Sequence, residues 1–268
     1  MLSCMKIGHG YVNGRQLKMI AAVSMLIDHT AYLLLGCGIQ FILSPVDPHY
    51  GMWYLLYRVM RTIGRIAFPV YGFLLAEGII HTRSWKKYAL RLGGFALLSE
   101  IPYDLLCDQT LVAPRIQNVF FTLLIALLTI KAAEGAVDRI QRRELCRAGQ
   151  TVLAPAGDKY LLIWMTVIGL GCVAAMLLRT DYGSAGVFLI VLLYLLRQQP
   201  LKKCVIGFFW MILASGKLYY IWGYAAAFFL IGLYNGEPGR RSGKYAFYLF
   251  YPVHILLLYG IFCWLIKG

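Results

Sequence analysis

Long apolar stretches separated by short polar loops dominate the pattern of the chain. We identify nine of them, at residues 17–36, 53–80, 88–106, 117–133, 160–178, 183–197, 203–216, 218–234 and 245–266. A helix of about 20 residues crosses the ~30 Å hydrocarbon core of a bilayer. The pattern therefore predicts an all-α fold, a polytopic membrane bundle of about nine transmembrane helices (eight to ten) in one domain over residues 1–268. The sixth and seventh segments are short, so we expect them to be tilted or only partly spanning.

Composition and charge support a membrane location. The 268 residues are 60% hydrophobic, whereas a soluble domain has about 45–50% apolar residues. Nineteen basic residues fall in the loops on one side of the predicted bundle and four on the other. The positive-inside rule then places the N-terminus in the cytoplasm. The net charge of +14 is thereby explained by membrane orientation, without nucleic acid as a partner.

The ends of the segments carry further signals. The N-terminal residues lack the apolar core and cleavage site of a signal peptide, so the first segment is expected to stay in the membrane. Pro69, with its neighbouring glycines, predicts a kink in the second segment, and Pro102 predicts a break in the third. The polar stretch 134–159 predicts a cytoplasmic loop, with a short surface helix as an alternative. The seven cysteines show no metal-binding spacing, so no metal is expected.

Several ionisable residues nevertheless lie inside the predicted segments. Such residues are rare in membranes, face the bundle interior and suggest a functional site. The helical rise places a set of them at a similar depth, with Asn118 and Thr122 nearby: Asp28, His29, Arg61, Arg65, Glu100 and His254. The structural alternative is that buried arginine–carboxylate pairs only hold helices together.

These residue types suit acyl transfer. A neutral His29 could take a proton from an attacking amine or hydroxyl, and a carboxylate from Asp28 or Glu100 could fix its tautomer. Arginines could hold an anionic group or stabilise developing negative charge. The same residue types also suit a proton-coupled transporter or a lipid flippase. A structural assembly factor is a third reading.

Six stretches, in order along the chain, resemble the TraX family. They are LKMIAAVSMLIDHTA, IGRIAFPVYGFLLAEGIIHTR, YALRLGGFALLSEIPYDLL, NVFFTLLIALL, TDYGSAGV and FYPVHILLLY. The resemblance implies a membrane-embedded acetyltransferase, because a named member acetylates conjugative pilin and the family is similar to a clan that includes heparan-α-glucosaminide acetyltransferase. It implies acetyl-CoA as cosubstrate, His29 as the intramembrane histidine and the bacterial inner membrane as the location. Direct transfer and an acetyl-histidine intermediate both remain open.

The combined interpretation assigns roles to twelve residues. The catalytic candidates are His29, Asp28, Glu100 and His254; the cofactor-binding candidates are Arg61, Arg65, Arg83, Lys86 and Lys87; the substrate-binding candidates are Asn118, Asp181 and Tyr251. A pantetheine arm of roughly 15–20 Å would carry an acetyl group from the cytoplasmic face to His29. The acceptor stays open between a pilin N-terminus, a sugar and a small amine. Membrane lipids are expected partners, and the oligomeric state, including a homo-oligomer, is left open.

Overall fold

The computed structural model describes residues 10–37, 48–148, 158–239 and 245–267. In these residues all regular elements longer than an isolated bridge are helices. They are α1 Gly14–Thr30, continued by a π-helix Ala31–Cys37, then α2 Tyr50–Gly64, α3 Ala67–His81, α4 Trp85–Asp108, α5 Val119–Ala148, α6 Asp158–Leu177, α7 Gly183–Leu195, α8 Pro200–Ser215, a 3-10 turn Leu218–Tyr220 leading into α9 Ile221–Gly232, and α10 Ala246–Lys267. Each of the nine predicted segments corresponds to one helical segment, the second being split into α2 and α3. The predicted all-α bundle is confirmed.

Five helical segments among the described residues are long and apolar enough to cross a membrane: Gly14–Cys37, Tyr50–His81, Val119–Arg143, Asp158–Leu177 and Ala246–Leu265. The 24-residue α4 has the length but carries charges towards both ends. α7 has only 13 residues, or about 20 Å of helix. It packs against α3, α5, α6 and α8, and most of its side chains are buried by protein. The sixth predicted segment is therefore short because it is an interior helix.

Two backbone bridges tie the ends of the bundle. Val12, just before α1, pairs with Tyr234. Gln117, just before α5, pairs with Thr180, just before α7. At the first of these ends, Asn13 and Gln16 form a reciprocal capping box that starts α1. The start of α1 is thus fixed against the chain that follows α9.

The predicted kink in the second segment is present. α2 ends at Gly64, Arg65 and Ile66 form a turn, and α3 begins at Ala67. Pro69 lies in the first turn of α3, where its missing N–H leaves no helical bond unmade. Gly64 packs directly on the Asp28 side chain, and any Cβ at this position would collide with the carboxylate. The break and the glycine together bring α1 close to the second segment.

Two other sequence predictions were wrong. The helix continues through the predicted break at Pro102, which lies inside α4. The predicted loop beginning near residue 134 is instead helical as far as Ala148, because this stretch is rich in Ala, Glu and Arg, which favour helix even where they are polar. At 30 residues, α5 is about 45 Å long and extends well beyond a hydrocarbon core. The rest of that predicted loop, 149–157, lies outside the described residues.

Candidate functional site

Asp28 is held between two arginines of the second segment. Its Oδ2 accepts a hydrogen bond from Arg61 Nη1 at 2.6 Å, and its Oδ1 accepts one from Arg65 Nη2 at 2.7 Å. The side chains of Arg61, Asp28 and Arg65 are only 16%, 12% and 11% exposed, respectively. Arg65 also donates from Nε to the carbonyl of Arg61 at 3.2 Å. We call Asp28, Arg61 and Arg65 the arginine clamp.

Aromatic rings surround the arginine clamp. The Arg61 guanidinium lies 5.3 Å from the ring centre of Tyr32, and that of Arg65 lies 4.9 Å from the ring centre of Tyr220. Because ring faces are electronegative, they offset part of the charge that one carboxylate cannot neutralise. The clamp thereby joins α1, the second segment and the turn before α9. Both Asp28 oxygens are bound by arginines, so Asp28 does not orient His29.

His29 is instead paired with the second histidine. His29 Nδ1 lies 2.7 Å from His254 Nε2, and the two rings are nearly parallel, with an interplanar angle of 2°. His254 Nδ1 lies 2.6 Å from the backbone carbonyl of Phe250, one turn earlier in α10. His254 is 4% exposed. We call His29, His254 and the Phe250 carbonyl the histidine relay.

The partners of the histidine relay assign its protons when both rings are neutral. A carbonyl oxygen only accepts, so His254 Nδ1 must carry a hydrogen and its Nε2 a lone pair. That lone pair requires a donor, which is the Nδ1–H of His29. The lone pair of His29 is therefore on Nε2. This is the tautomer that a histidine needs to act as a base with Nε2, with His254 in the orienting place that a carboxylate occupies in a catalytic triad.

A cavity of about 240 Å³ lies beside the histidine relay. Its lining comes from α1, α3, α4, α5, α10 and the turn before α7: Lys18, Met25, His29, Ala67, Phe68, Tyr71, Leu74, Leu75, Gly78, Tyr88, Leu92, Val119, Phe120, Leu123, Asp181, Tyr182, Phe247, Tyr248 and Tyr251. On α1 the lining extends from Lys18 to His29, about 16 Å by helical rise. Apart from Tyr71, its central part is formed by apolar side chains.

The two ends of the cavity differ in chemistry. At the end near the start of α1, Lys18 lies 5.9 Å from the ring centre of Phe247. Tyr88 and Tyr248 line the same end, and the Arg91 guanidinium lies 5.5 Å from the Tyr88 ring centre. At the other end His29, Asp181 and Tyr251 line the cavity, and the Tyr251 ring lies edge-on to His29 with the ring centres 5.9 Å apart. The cavity thus has cationic groups near one end and a base, an acid and a hydroxyl at the other.

Two of the three predicted substrate-binding residues, Asp181 and Tyr251, line this cavity. Two hydrogen bonds hold Asp181 in place. Its backbone carbonyl accepts from the Thr122 hydroxyl, and its side-chain Oδ1 accepts from the Tyr182 N–H at 3.0 Å. The third, Asn118, is fully buried and does not contribute to the lining. Its amide donates to the Ala96 carbonyl at 2.7 Å and to Glu100, while its Oδ1 accepts from the Phe120 N–H. Asn118 therefore ties α4 to the start of α5.

Glu100 shares that structural position. One carboxylate oxygen accepts from Asn118, and the other is buried without a hydrogen-bond partner among the described residues. Glu100 is not part of the cavity lining, and the nitrogen next to His29 belongs to His254. The sequence analysis expected Glu100 or Asp28 to orient His29. In the structure, His254 occupies that position.

None of the predicted cofactor-binding residues lines the cavity. Arg61 and Arg65 are bound to Asp28. Arg83, Lys86 and Lys87 are exposed around the start of α4, outside the lining. The basic residue that does line the cavity, Lys18, was missed. Its signal was the spacing of Lys18, Met25 and His29 at i, i+7 and i+11, which places all three on one helical face.

No group of three or more metal-binding side chains occurs among the residues that the structure describes. The described residues supply the site with a histidine base, a carboxylate and tyrosine hydroxyls around an elongated, mainly apolar cavity.

Comparison with known proteins gives the family. The TraX protein family matches residues 13–262, almost the whole chain. A relative from Dichelobacter nodosus, named "Probable fimbrial assembly protein FimC, serogroup H1", is 28% identical over 265 residues, covering 91% of this chain and 93% of that protein. No solved structure matches the chain. With its long apolar helices, the chain is a multi-pass membrane protein that belongs to the TraX family.

Proposed function

We propose that the protein is a membrane-embedded acetyltransferase that moves an acetyl group from cytoplasmic acetyl-CoA to an amine or hydroxyl acceptor. The observation that carries this proposal is the histidine relay, which leaves the Nε2 lone pair of His29 available at one end of an elongated cavity. A base fixed in one tautomer beside a cavity of this shape is what acyl transfer from a long thioester requires.

In the proposed reaction His29 acts as a general base. Its Nε2 takes the proton from the acceptor N–H or O–H as the acceptor atom bonds to the acetyl carbonyl carbon. The carbon–sulfur bond then breaks, CoA leaves as a thiolate, and the thiolate takes the proton back from His29. His254 holds the imidazole in place throughout, and the Tyr251 hydroxyl is the candidate donor to the developing oxyanion.

In this proposal the donor enters the cavity in one direction. The phosphates of CoA would remain near Lys18 and Arg91, and the uncharged pantetheine arm would follow the apolar lining towards His29. The distance of about 16 Å between Lys18 and His29 matches an arm of roughly 15–20 Å. The exposed Arg83, Lys86 and Lys87 would attract the phosphates over a longer range.

The acceptor is proposed from the relatives. The TraX family is associated with pilin acetylation, and the D. nodosus relative is named as a fimbrial assembly protein. We therefore propose a subunit of a surface appendage as the acceptor, entering from the Asp181 end of the cavity. The Asp181 carboxylate is suited to hold the ammonium form of an incoming amine before that amine loses its proton.

The test is acetyl transfer by purified protein in detergent or nanodiscs. The protein is supplied with [¹⁴C]acetyl-CoA and candidate pilin peptides, and products are read by mass spectrometry. His29→Gln should keep the melting temperature and acetyl-CoA binding but lower the transfer rate by about 10²–10⁴-fold. Transfer at the wild-type rate by a folded His29→Gln protein would refute the assignment. Solute flux in proteoliposomes without acetyl transfer would support the transporter instead.

A further inference from the structure

Tyr71 of α3 has a buried hydroxyl that no described group satisfies. Its oxygen is inaccessible to solvent and has no hydrogen-bond partner, yet the side chain lines the cavity. Two other tyrosines of the lining, Tyr88 and Tyr248, interact with each other at the Lys18 end. Buried hydroxyls are normally hydrogen-bonded, and an unbonded one destabilises the fold. An orphaned hydroxyl on a side chain that lines a ligand cavity therefore suggests that the ligand supplies its partner.

The position of Tyr71 indicates which part of a ligand it meets. Gly64 packs on Asp28, the neighbour of His29, and so marks the level of the reacting centre. Tyr71 follows seven residues later, about 10 Å further towards the Lys18 end by helical rise. In the extended arm of acetyl-CoA, eight covalent bonds separate the thioester carbon from the nitrogen of the second amide, the one farther from sulfur. Eight bonds of ordinary length span about 10 Å.

Resting on the proposed function, we propose that the Tyr71 hydroxyl hydrogen-bonds the second amide of the pantetheine arm. The hydroxyl can donate to the amide carbonyl or accept from the amide N–H. The apolar residues around it, Leu74 and Leu75 on its own helix and Leu92 on α4, offer no competing polar partner. Tyr71 thereby sets the depth to which the arm enters and brings the thioester level with His29.

The test compares Tyr71→Phe with wild type using two donors. Acetyl-CoA contains both amides, whereas S-acetyl-N-acetylcysteamine ends after the first. The variant should bind acetyl-CoA about three- to tenfold more weakly and bind the truncated donor as wild type does. The matched control is Tyr194→Phe, whose hydroxyl bonds Glu134 outside the cavity; its donor affinities should be unchanged.

A second readout separates ligand contact from damage to the fold. Without ligand, Tyr71→Phe should melt at or above the wild-type temperature because it removes an unsatisfied hydroxyl. Tyr194→Phe should melt lower because it removes the hydroxyl that donates to Glu134 Oε1. Equal acetyl-CoA affinity for wild type and Tyr71→Phe would overturn this inference and leave the proposed function intact. Equal weakening with both donors would also overturn it. Failure of the wild type to bind acetyl-CoA would overturn both proposals.

Discussion

Replacing Asp28 by Asn tests whether Asp28 has a structural or a catalytic role. The substitution keeps the shape of the side chain but removes the carboxylate that binds both Arg61 and Arg65. Two guanidinium groups, each less than a fifth exposed, would then face each other without the carboxylate that bridges them. Breaking a buried ion pair from one side costs about 3–5 kcal/mol. We expect a loss of unfolding free energy in this range, because the nearby tyrosine rings compensate only partly.

The matched rescue is the double variant Asp28→Asn with Arg61→Met. It returns the clamp to a single positive charge, as in the wild type, while Met fills much of the space of the arginine stem. We expect the double variant to recover about 1–3 kcal/mol relative to Asp28→Asn alone. Unfolding would be followed in mixed micelles by SDS titration of tryptophan fluorescence, with acetyl transfer measured in parallel.

The two roles of Asp28 give different results in the double variant. If Asp28 acts through the fold, stability and acetyl transfer return together when Arg61 is also replaced. If Asp28 acts in the reaction, transfer stays low although stability returns. A singly substituted Asp28→Asn protein as stable as wild type would refute the reasoning about the arginine clamp altogether.

Three further predictions follow from the site. His254→Ala should lower kcat about 10²-fold or more with little change in acetyl-CoA affinity. His254→Gln should retain more activity, because its amide oxygen can still accept from His29. Equal rates for both variants would contradict the histidine relay. Gly64→Ala should destabilise the protein by about 1–3 kcal/mol in the same SDS titration, because its Cβ meets the Asp28 carboxylate, whereas Gly94→Ala in α4, with open space around it, should not. Lys18→Gln should weaken acetyl-CoA binding about tenfold in calorimetric titration, more than replacement of Arg83, Lys86 and Lys87 together, whose effect should fade with added salt.

The number of helical segments and the kinds of side chain at the site were predictable because they depend on local sequence. Apolar runs indicate where helices form, and the chain alternates apolar runs with basic loops clearly enough to give nine helical segments. Five of these, among the described residues, are long and apolar enough to cross a membrane. The break after Gly64 followed from its glycine and Pro69. The extension of α5 beyond residue 134 was missed because polarity was read as loop, although helix propensity and polarity are separate properties.

The pairing of side chains was less predictable because it depends on how helices rotate against one another. Depth along the membrane follows from counting residues, so the sequence placed Glu100 and His254 near the level of His29. Which of them contacts His29 depends on the rotation of α4 and α10, and the two histidines are 225 residues apart in the chain. The same rotation directs Glu100 to Asn118. Asp28 and His29 are adjacent in α1, and a helix turns about 100° per residue, so the two side chains face different neighbours.

That step also explains how one short stretch of α1 supports two separate tasks. Asp28 faces the second segment and gathers the arginines, whereas His29 faces α10 and the cavity, so the strongest charges are kept out of the lining. The lining is consequently charged near its ends and, apart from Tyr71, apolar in between. A transporter that moves a polar solute would need polar partners along the whole path. A donor with a charged head, a long uncharged arm and a reactive tip needs the distribution found here, and this favours acyl transfer over transport.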